Sequence, residues 1–339
     1  MSRPSSTGGR KGTRWLLKLC RAYFIGFLII GLAGWVIGER WWLTILLTYP
    51  PQVVFLIPGL LLLPFALISR SIPALRWLVA AGLLWALLEG ARWPLVPRWA
   101  STNETTIKVL TYNIHSATGG VEKIAGAIRK ENPEVICLQE AKPWLNLPNP
   151  VPALQQLLPE WTFTNSGDVA IGIRGGSIER QEIQPYPVPG SFRLALGVQT
   201  HLKGRPITIV TTHLATAMYA QTLTKNRRGI PTYLTQTGEV RRIQLQGLRQ
   251  FLNEFPGPKI ICGDFNTPPR GVEYARLTRD LDDAFAESGK GFGWSYPANR
   301  PLLRIDYIFT AGGSRAVEAN TRAWPYSDHR PVVATVTLP

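Results

Sequence analysis

Asn113, Glu140, His213, Asp264 and Asn266 each stand at or just beyond the C-terminal end of a strand-like run, and Asp328 and His329 share the loop before the last such run. Taken singly, each has a plain structural explanation: Asn and Asp cap turns, and an isolated His is more often structural than functional. Repetition of one placement from segment to segment outweighs those explanations, because strand ends and loops are where a rigid scaffold presents chemistry. Carboxylate and amide oxygens suit a hard cation that keeps part of its water shell, and imidazoles beside them can move protons. Two other chemistries are disfavoured. No Gly-x-Ser-x-Gly elbow is present for a serine hydrolase, and the four histidines (His115, His201, His213, His329) lack zinc-ligand spacing. His115 follows the first segment and is expected near the pocket, whereas His201 precedes a Lys203-Gly204 turn and reads as surface. Three cysteines are too few for a disulfide framework, and Cys137 and Cys262 fall in apolar strands as buried, inert thiols.

The elements that must position these groups are short. Strands are expected over residues 107–112, 134–138, 169–173, 194–200, 206–211, 259–262, 302–310 and 332–338. Residues 121–130 carry apolar side chains at helical spacing (Val121, Ile124, Ala125, Ile128) and stop at Asn132-Pro133. Residues 239–255 form a second amphipathic helix, with Leu245, Leu248, Phe251, Leu252 and Phe255 on one face. Many short strands with interleaved helices suggest packed sheets covered by helices.

In order along the chain come Thr111-Tyr112-Asn113-Ile114-His115, Leu138-Gln139-Glu140, Thr212-His213-Leu214, Gly263-Asp264-Phe265-Asn266, Arg304-Ile305-Asp306-Tyr307 and Ser327-Asp328-His329. Together they resemble the endonuclease/exonuclease/phosphatase superfamily, whose members share the fold of pancreatic deoxyribonuclease. The resemblance covers residues 106–338. It implies a four-layer α/β/β/α sandwich and cleavage of phosphate esters with Mg²⁺ or Mn²⁺. Carried over motif by motif, Glu140 is the principal metal ligand with Asn113 beside it, and Asp328 assists. Asp306 fixes the tautomer of His329, Asp264 and Asn266 position the attacking water and a phosphate oxygen, and His213 stabilises charge on the phosphate. Whether Asp264 or the Asp306–His329 pair acts as base stays open at this point. Such a set matches the reaction, since phosphoryl transfer needs positioning and charge neutralisation more than covalent chemistry. A phosphate-contacting Tyr found in several branches has no clear counterpart, and Tyr186 is a poor candidate.

The first hundred residues are of another kind. They hold 11 of the 37 Lys and Arg but only two acids (Glu39, Glu89), a net +9 against +6 for the remainder. Apolar runs cover residues 23–37, 43–68 and 75–88, and a bilayer core of about 30 Å takes ~20 helical residues to cross. About three transmembrane helices are therefore expected, the second shortened by Pro50-Pro51 and the third reliant on Arg76 and Glu89 snorkelling. Trp41, Trp42, Trp77 and Trp93 lie near the expected boundaries as an aromatic belt. A cleaved signal peptide would explain one run, not three. The resulting organisation is a membrane anchor over 1–100, a linker over 101–105 and a catalytic domain over 106–339. Eight bases before the first span and between the second and third (Arg3 to Arg21, Arg70, Arg76) predict a cytoplasmic amino terminus, and hence a multi-pass cell-membrane protein with its domain outside.

The expected function is thus a membrane-anchored, metal-dependent phosphoester hydrolase, in the first place a nuclease or phosphodiesterase, with a lipid-headgroup enzyme directed at sphingomyelin or inositol phospholipids as the alternative. Its partners are the lipid bilayer and a phosphoester substrate, either nucleic acid or a phospholipid headgroup. The basic segment Lys225, Arg227, Arg228, with Arg241 and Arg242 at the start of the following helix, favours an extended polyanion. Anchoring favours a lipid phosphodiesterase or phosphatase instead. A catalytically dead tethered binding module is the reading from another class, and the presence of every motif residue weighs against it.

Overall fold

The computed structural model describes residues 7–93, 104–143, 147–218, 224 and 227–339. Twelve strands form two six-stranded mixed sheets. The first has the order β11 (Arg315–Thr321), β12 (Val332–Leu338), β1 (Thr105–Asn113), β2 (Val135–Gln139), β4 (Val169–Arg174), β3 (Trp161–Ser166). The second runs β5 (Ile178–Pro185), β6 (Leu194–Leu202), β7 (Arg205–His213), β8 (Lys259–Asp264), β10 (Asp306–Ala311), β9 (Asp282–Asp283). Alternation decides the packing. Ile107, Val109, Val135, Cys137 and Ile171 of the first sheet meet Leu196, Val198, Ile209, Ile260, Cys262 and Ile308 of the second in one core. Burying each such side chain contributes about 1.5–3 kcal/mol. The outer face of the first sheet packs on α5 (Val121–Glu131) and α6 (Pro150–Leu157). That of the second packs on α7 (Ile230–Asn253) and α8 (Gly271–Asp280).

Within each sheet the strands that end in polar groups lie side by side. β1 runs parallel to β2, which brings Asn113 level with Gln139, next to Glu140. β7 runs parallel to β8 with His213 opposite Asp264, and β10 begins antiparallel to β8 with Asp306 opposite Asp264. These registers gather five segment ends at one edge of the molecule. The expected strand over 302–310 starts only at Asp306, because Leu303 turns back to bridge Tyr296. The second amphipathic helix begins earlier than periodicity suggested, at Ile230.

The amino-terminal segment corrects one expectation. Among the described residues one helix, over residues 13–36 of α1 (Thr7–Val36), is long and apolar enough to cross a membrane, not about three. After α2 (Trp42–Thr48) the chain bends by 80° at Pro50-Pro51 into a 3₁₀ turn, Gln52–Leu56, and α3 (Ile57–Ile68). α4 (Ile72–Leu88) has 17 residues, roughly 26 Å of helix, short of a full crossing. The segment is docked on the domain through a polar seam. Arg270, buried, donates from Nε to Thr48 O (2.7 Å), from Nη2 to Pro50 O (3.1 Å) and from Nη1 to Leu88 O (3.3 Å), and stands 3.5 Å from Glu89. Glu89 also accepts from the Gln52 amide (2.8 Å) and the Trp294 indole (3.3 Å). Gly238 of α7 lets the backbone through, since a Cβ there would lie 2.6 Å from Glu39 O. Trp85, Phe292 and Trp294 stack across the same seam. The expected linker lies outside the described residues up to Glu104, and Thr105 opens β1.

Candidate active site

The gathered strand ends surround a cleft of about 390 Å³ lined by Glu140, His213, Asp264, Asn266, Asp328 and His329, with Arg193 and Tyr296. Asn113, buried at the end of β1, donates to Asp264 Oδ2 (3.1 Å) and Glu140 Oε1 (3.2 Å), so one amide ties the two sheets together. Glu140 and Asn266 both adopt left-handed backbone (φ 53 and 49), which costs a non-glycine residue about 1–2 kcal/mol. The surroundings hold them there. Ser116 donates its amide to Glu140 O (3.0 Å), while Asn266 donates its amide to Asp264 Oδ1 (2.9 Å) and its side chain to Leu214 O (3.0 Å). Strain kept in this way at a cleft is a mark of function.

Two histidines are each aimed by a carboxylate. His329 Nδ1 donates to Asp306 Oδ2 at 2.9 Å, which leaves Nε2 facing Asp264 Oδ2 at 3.7 Å. His213 Nδ1 donates to Asp168 Oδ2 at 2.8 Å, and its Nε2 lies 3.5 Å from the same Asp264 oxygen. Burial works against a charge on His329, yet the Asp306 and Asp264 carboxylates push its pKa up to about 10. Burial and the neighbouring Asp306 carboxylate raise the Asp264 carboxyl above the ordinary range, against the pull of His329 and His213. Burial also disfavours the charge on Asp168, but the His213 hydrogen bond and the His213, Arg193 and Lys142 charges together hold its carboxyl low. One oxygen each of Asp168 and Asp306 is buried without a hydrogen-bond partner.

Oxygen donors dominate the cleft. Asp264, Asp306 and His329 each offer a ligand atom, all within 4.8 Å of one another, and the Glu140 carboxylate shares the Asn113 amide with Asp264. Carboxylate and amide oxygens without a thiolate, with Glu140 and Asn113 next to this carboxylate-rich group, fit a hard divalent cation better than a thiophilic one. Asp328 is exposed at the rim, 3.6 Å from His115 Nδ1.

The structure adds three residues that sequence reasoning missed. Asp168 sits in the β3–β4 turn, Arg193 precedes β6 and pairs with Asp168 at 2.9 Å, and Tyr296 lies against the His329 ring at 4.7 Å between centroids. They are single residues in turns, without pattern. Tyr186 is buried on Thr212 (2.6 Å) and does not line the cleft. His201 is exposed and pairs with Glu179.

Of the five bases expected to contact substrate, none of those described lines the cleft. Lys225 and the Arg227 side chain lie outside the described residues, and Arg228 is exposed in a 3₁₀ turn. Arg242 is exposed and paired with Glu239. Arg241 is a correction: it is fully buried, and its guanidinium is taken by Ala215 O, Phe265 O (3.1 Å), the Thr267 hydroxyl and the Tyr49 hydroxyl (3.3 Å). Its spacing held the signal, because it precedes Leu245 by four residues and Leu248 by seven on the buried face of α7.

Two mixed sheets that bring acid–imidazole pairs and oxygen donors to one edge define a phosphoesterase-type centre. Residues 110–329 match the model of the Endonuclease/Exonuclease/phosphatase family, and the chain belongs to that family. It is therefore a phosphoester hydrolase by family, of a kind generally dependent on divalent metal. None of the curated proteins compared matches the sequence. Among solved structures, TDP2 of D. rerio complexed with single strand DNA product is 18% identical, with a TM-score of 0.55 over 69% of this chain and 99% of that one. A humanized D. rerio TDP2 is 19% identical (TM-score 0.55; 68% of this chain, 98% of that one). An endonuclease/exonuclease/phosphatase from Bacteroides vulgatus is 16% identical (TM-score 0.55; 70% and 100%). At these identities the likeness shows the shared fold.

Proposed function

We propose that the chain is a Mg²⁺- or Mn²⁺-dependent phosphodiesterase held in a membrane by its amino-terminal helices. The observation that carries the chemistry is the convergence of Glu140, Asn113, Asp264 and two carboxylate-aimed histidines on one cleft. Glu140 and Asn113, with Asp328 from the rim, would hold the cation. When bound, it supplies Lewis-acid polarisation of a phosphate oxygen. The chain's own groups supply the rest. Asp264, whose carboxyl is raised and whose Oδ2 faces both imidazoles, orients the attacking water and accepts its proton. His329, held at Nδ1 by the Asp306 carboxylate and turned toward Asp264 at Nε2, is placed to meet phosphate charge. His213, aimed through Nδ1 by Asp168, turns Nε2 into the cleft, and in its imidazolium form donates from there to a phosphate oxygen. Asn266, pinned to Leu214 O, fixes another.

The charge layout of the helices supports the orientation. Arg14, Lys18 and Arg21 of α1, with Arg70 and Arg76, belong to the end where Leu16 and Cys20 pack on Ala66 and Ala74. Arg40 and Arg92 lie at the domain end, near Gly238 and Gly291. The α3–α4 hairpin leaves from and returns to the domain side, so it does not alter sidedness, and α1 decides that the amino terminus is cytoplasmic and the domain outside. A reporter active only in the cytoplasm, fused after Leu338, should give no signal.

A nuclease reading draws support from the fold shared with TDP2 bound to its DNA product. The cleft of this chain offers less, since Arg193 is the only Lys or Arg lining it among the described residues. The catalytic reading is tested with full-length protein in detergent on bis(p-nitrophenyl) phosphate. Hydrolysis should require Mg²⁺ or Mn²⁺ and stop with EDTA. Glu140→Gln and His329→Ala should each lower kcat by ~10²-fold or more with the fold retained. Near-wild-type rates in both would reject the site.

A further inference from the structure

The cleft has two unlike walls. One carries the carboxylates and imidazoles; the other is Tyr49, Pro50 and Pro51, contributed by the amino-terminal segment, with Met218 in one cluster with Tyr49, and Leu303, bridged to Tyr296, also lines the cleft. That turn has little polarity to offer a ligand. Proline has no N–H, so Pro50 and Pro51 present no donor. The Thr48 carbonyl is taken by Arg270, and that of Pro50 by Arg270 and the Gln52 side chain (3.1 Å). The Tyr49 hydroxyl donates to Glu39 (2.7 Å) and accepts from Arg241. A sugar or base set against this wall would leave its own polar groups unpaired, a cost an alkyl or isoprenoid group does not meet.

The same stretch continues directly into α3, which exposes Leu60, Leu61, Phe65 and Ile68, and α4 beside it exposes Val79 and Leu83. The element that walls the cleft is thus the one whose outer faces suit lipid.

We propose that the Tyr49–Pro50–Pro51 turn is a specificity wall of the catalytic cleft, and that with Met218 and Leu303 it accepts the apolar part of an amphiphilic phosphoester drawn from the bilayer surface. This rests on the hydrolase reading above. Arg270 and Arg241 act as positioning residues: each binds the turn from the catalytic side, Arg241 while also holding Phe265 O and Thr267 beside Asn266.

The test uses full-length protein in phosphatidylcholine nanodiscs with Mn²⁺. Methyl, butyl and octyl p-nitrophenyl phosphodiesters are compared, each below its critical micelle concentration, with a single-stranded DNA oligonucleotide. kcat/KM should rise at least about tenfold from methyl to octyl, since each buried methylene adds favourable transfer energy. Pro51→Asp should abolish that rise while partitioning of the esters into the nanodisc is unchanged, and Leu303→Asp provides the same test should the first variant misfold. A flat chain-length profile in the wild type, or a rise that survives both substitutions, overturns the proposal and leaves the hydrolase reading intact. Faster turnover of the oligonucleotide than of the octyl ester also overturns it. No hydrolysis of any diester removes the hydrolase reading itself and this proposal with it.

Discussion

In the seam between the helices and the domain, Arg270 gives each of its three side-chain nitrogens to a backbone carbonyl and stands beside Glu89. In the cleft, Asp306 gives one oxygen to His329 and keeps the other without a partner, as Asp168 does beside His213. Both regions are buried and charged. Arg270 and Glu89 saturate their groups, although Glu39 Oε2 and Trp85 Nε1 of the seam go without a partner, whereas both carboxylates that aim the cleft histidines hold an oxygen in reserve, and spare capacity at a buried carboxylate is what a cation or a substrate can use.

That contrast is open to attack from either side. The largest effect is expected in the seam. Arg270→Ala leaves the Glu89 charge buried without its counter-ion and takes one hydrogen bond from each of the Thr48, Pro50 and Leu88 carbonyls, so thermal unfolding in detergent should show a loss of about 3–5 kcal/mol. A loss under 1 kcal/mol would mean the seam is wet and loosely made. Next comes Gly238→Ala, which forces a Cβ against Glu39 O and should cost about 1–3 kcal/mol through overpacking, read by the same melt.

In the cleft, Asp168→Asn keeps the shape but removes the charge that aims His213. kcat should fall about tenfold or more, with KM changed less. The same variant has a pH signature. Because the Asp168 carboxyl is held low in the fold, its contribution to stability is complete above the ordinary Asp value of about 3.9 and is lost as pH falls through the folded value. Acid unfolding of the wild type should therefore be steeper below about pH 4 than that of Asp168→Asn; parallel curves would refute the ion pair. The smallest effect belongs to Arg242→Gln. Its exposed pair with Glu239 lies outside both regions and is screened by solvent, so neither the melting temperature nor turnover should change measurably. A marked rise in KM would restore the α7 bases as a substrate contact.

The two regions also differ in how far the sequence revealed them. The strand-end groups were readable because register within each sheet sets Asn113 beside Gln139 and Glu140, and His213 and Asp306 beside Asp264, and register follows from alternating apolar residues. Asp168, Arg193 and Tyr296 were not readable, because each reaches the cleft from a turn whose direction depends on packing far away in the chain. The seam was hidden by a stronger effect. Arg241 and Arg270 are charged, and charge by itself suggests solvent; only the backbone carbonyls of another segment make their burial tolerable. The apolar runs gave away the presence of the helices but not their reach, since hydropathy does not report the 80° bend that Pro50-Pro51 imposes.

The placement of β1 has a consequence for how the protein comes into being. β1, the first strand of the domain, pairs along its length with β12, the last, from Thr105 against Leu338 to Thr111 against Val332. The first sheet cannot close until β12 has left the ribosome, and contacts of such separation form slowly. Asn113 and Glu140 are made early in synthesis, but His329 arrives just ahead of β12. A nascent chain that lacks β12 therefore carries the Glu140 carboxylate without the imidazole across the cleft, and the site is complete only once that strand has been made.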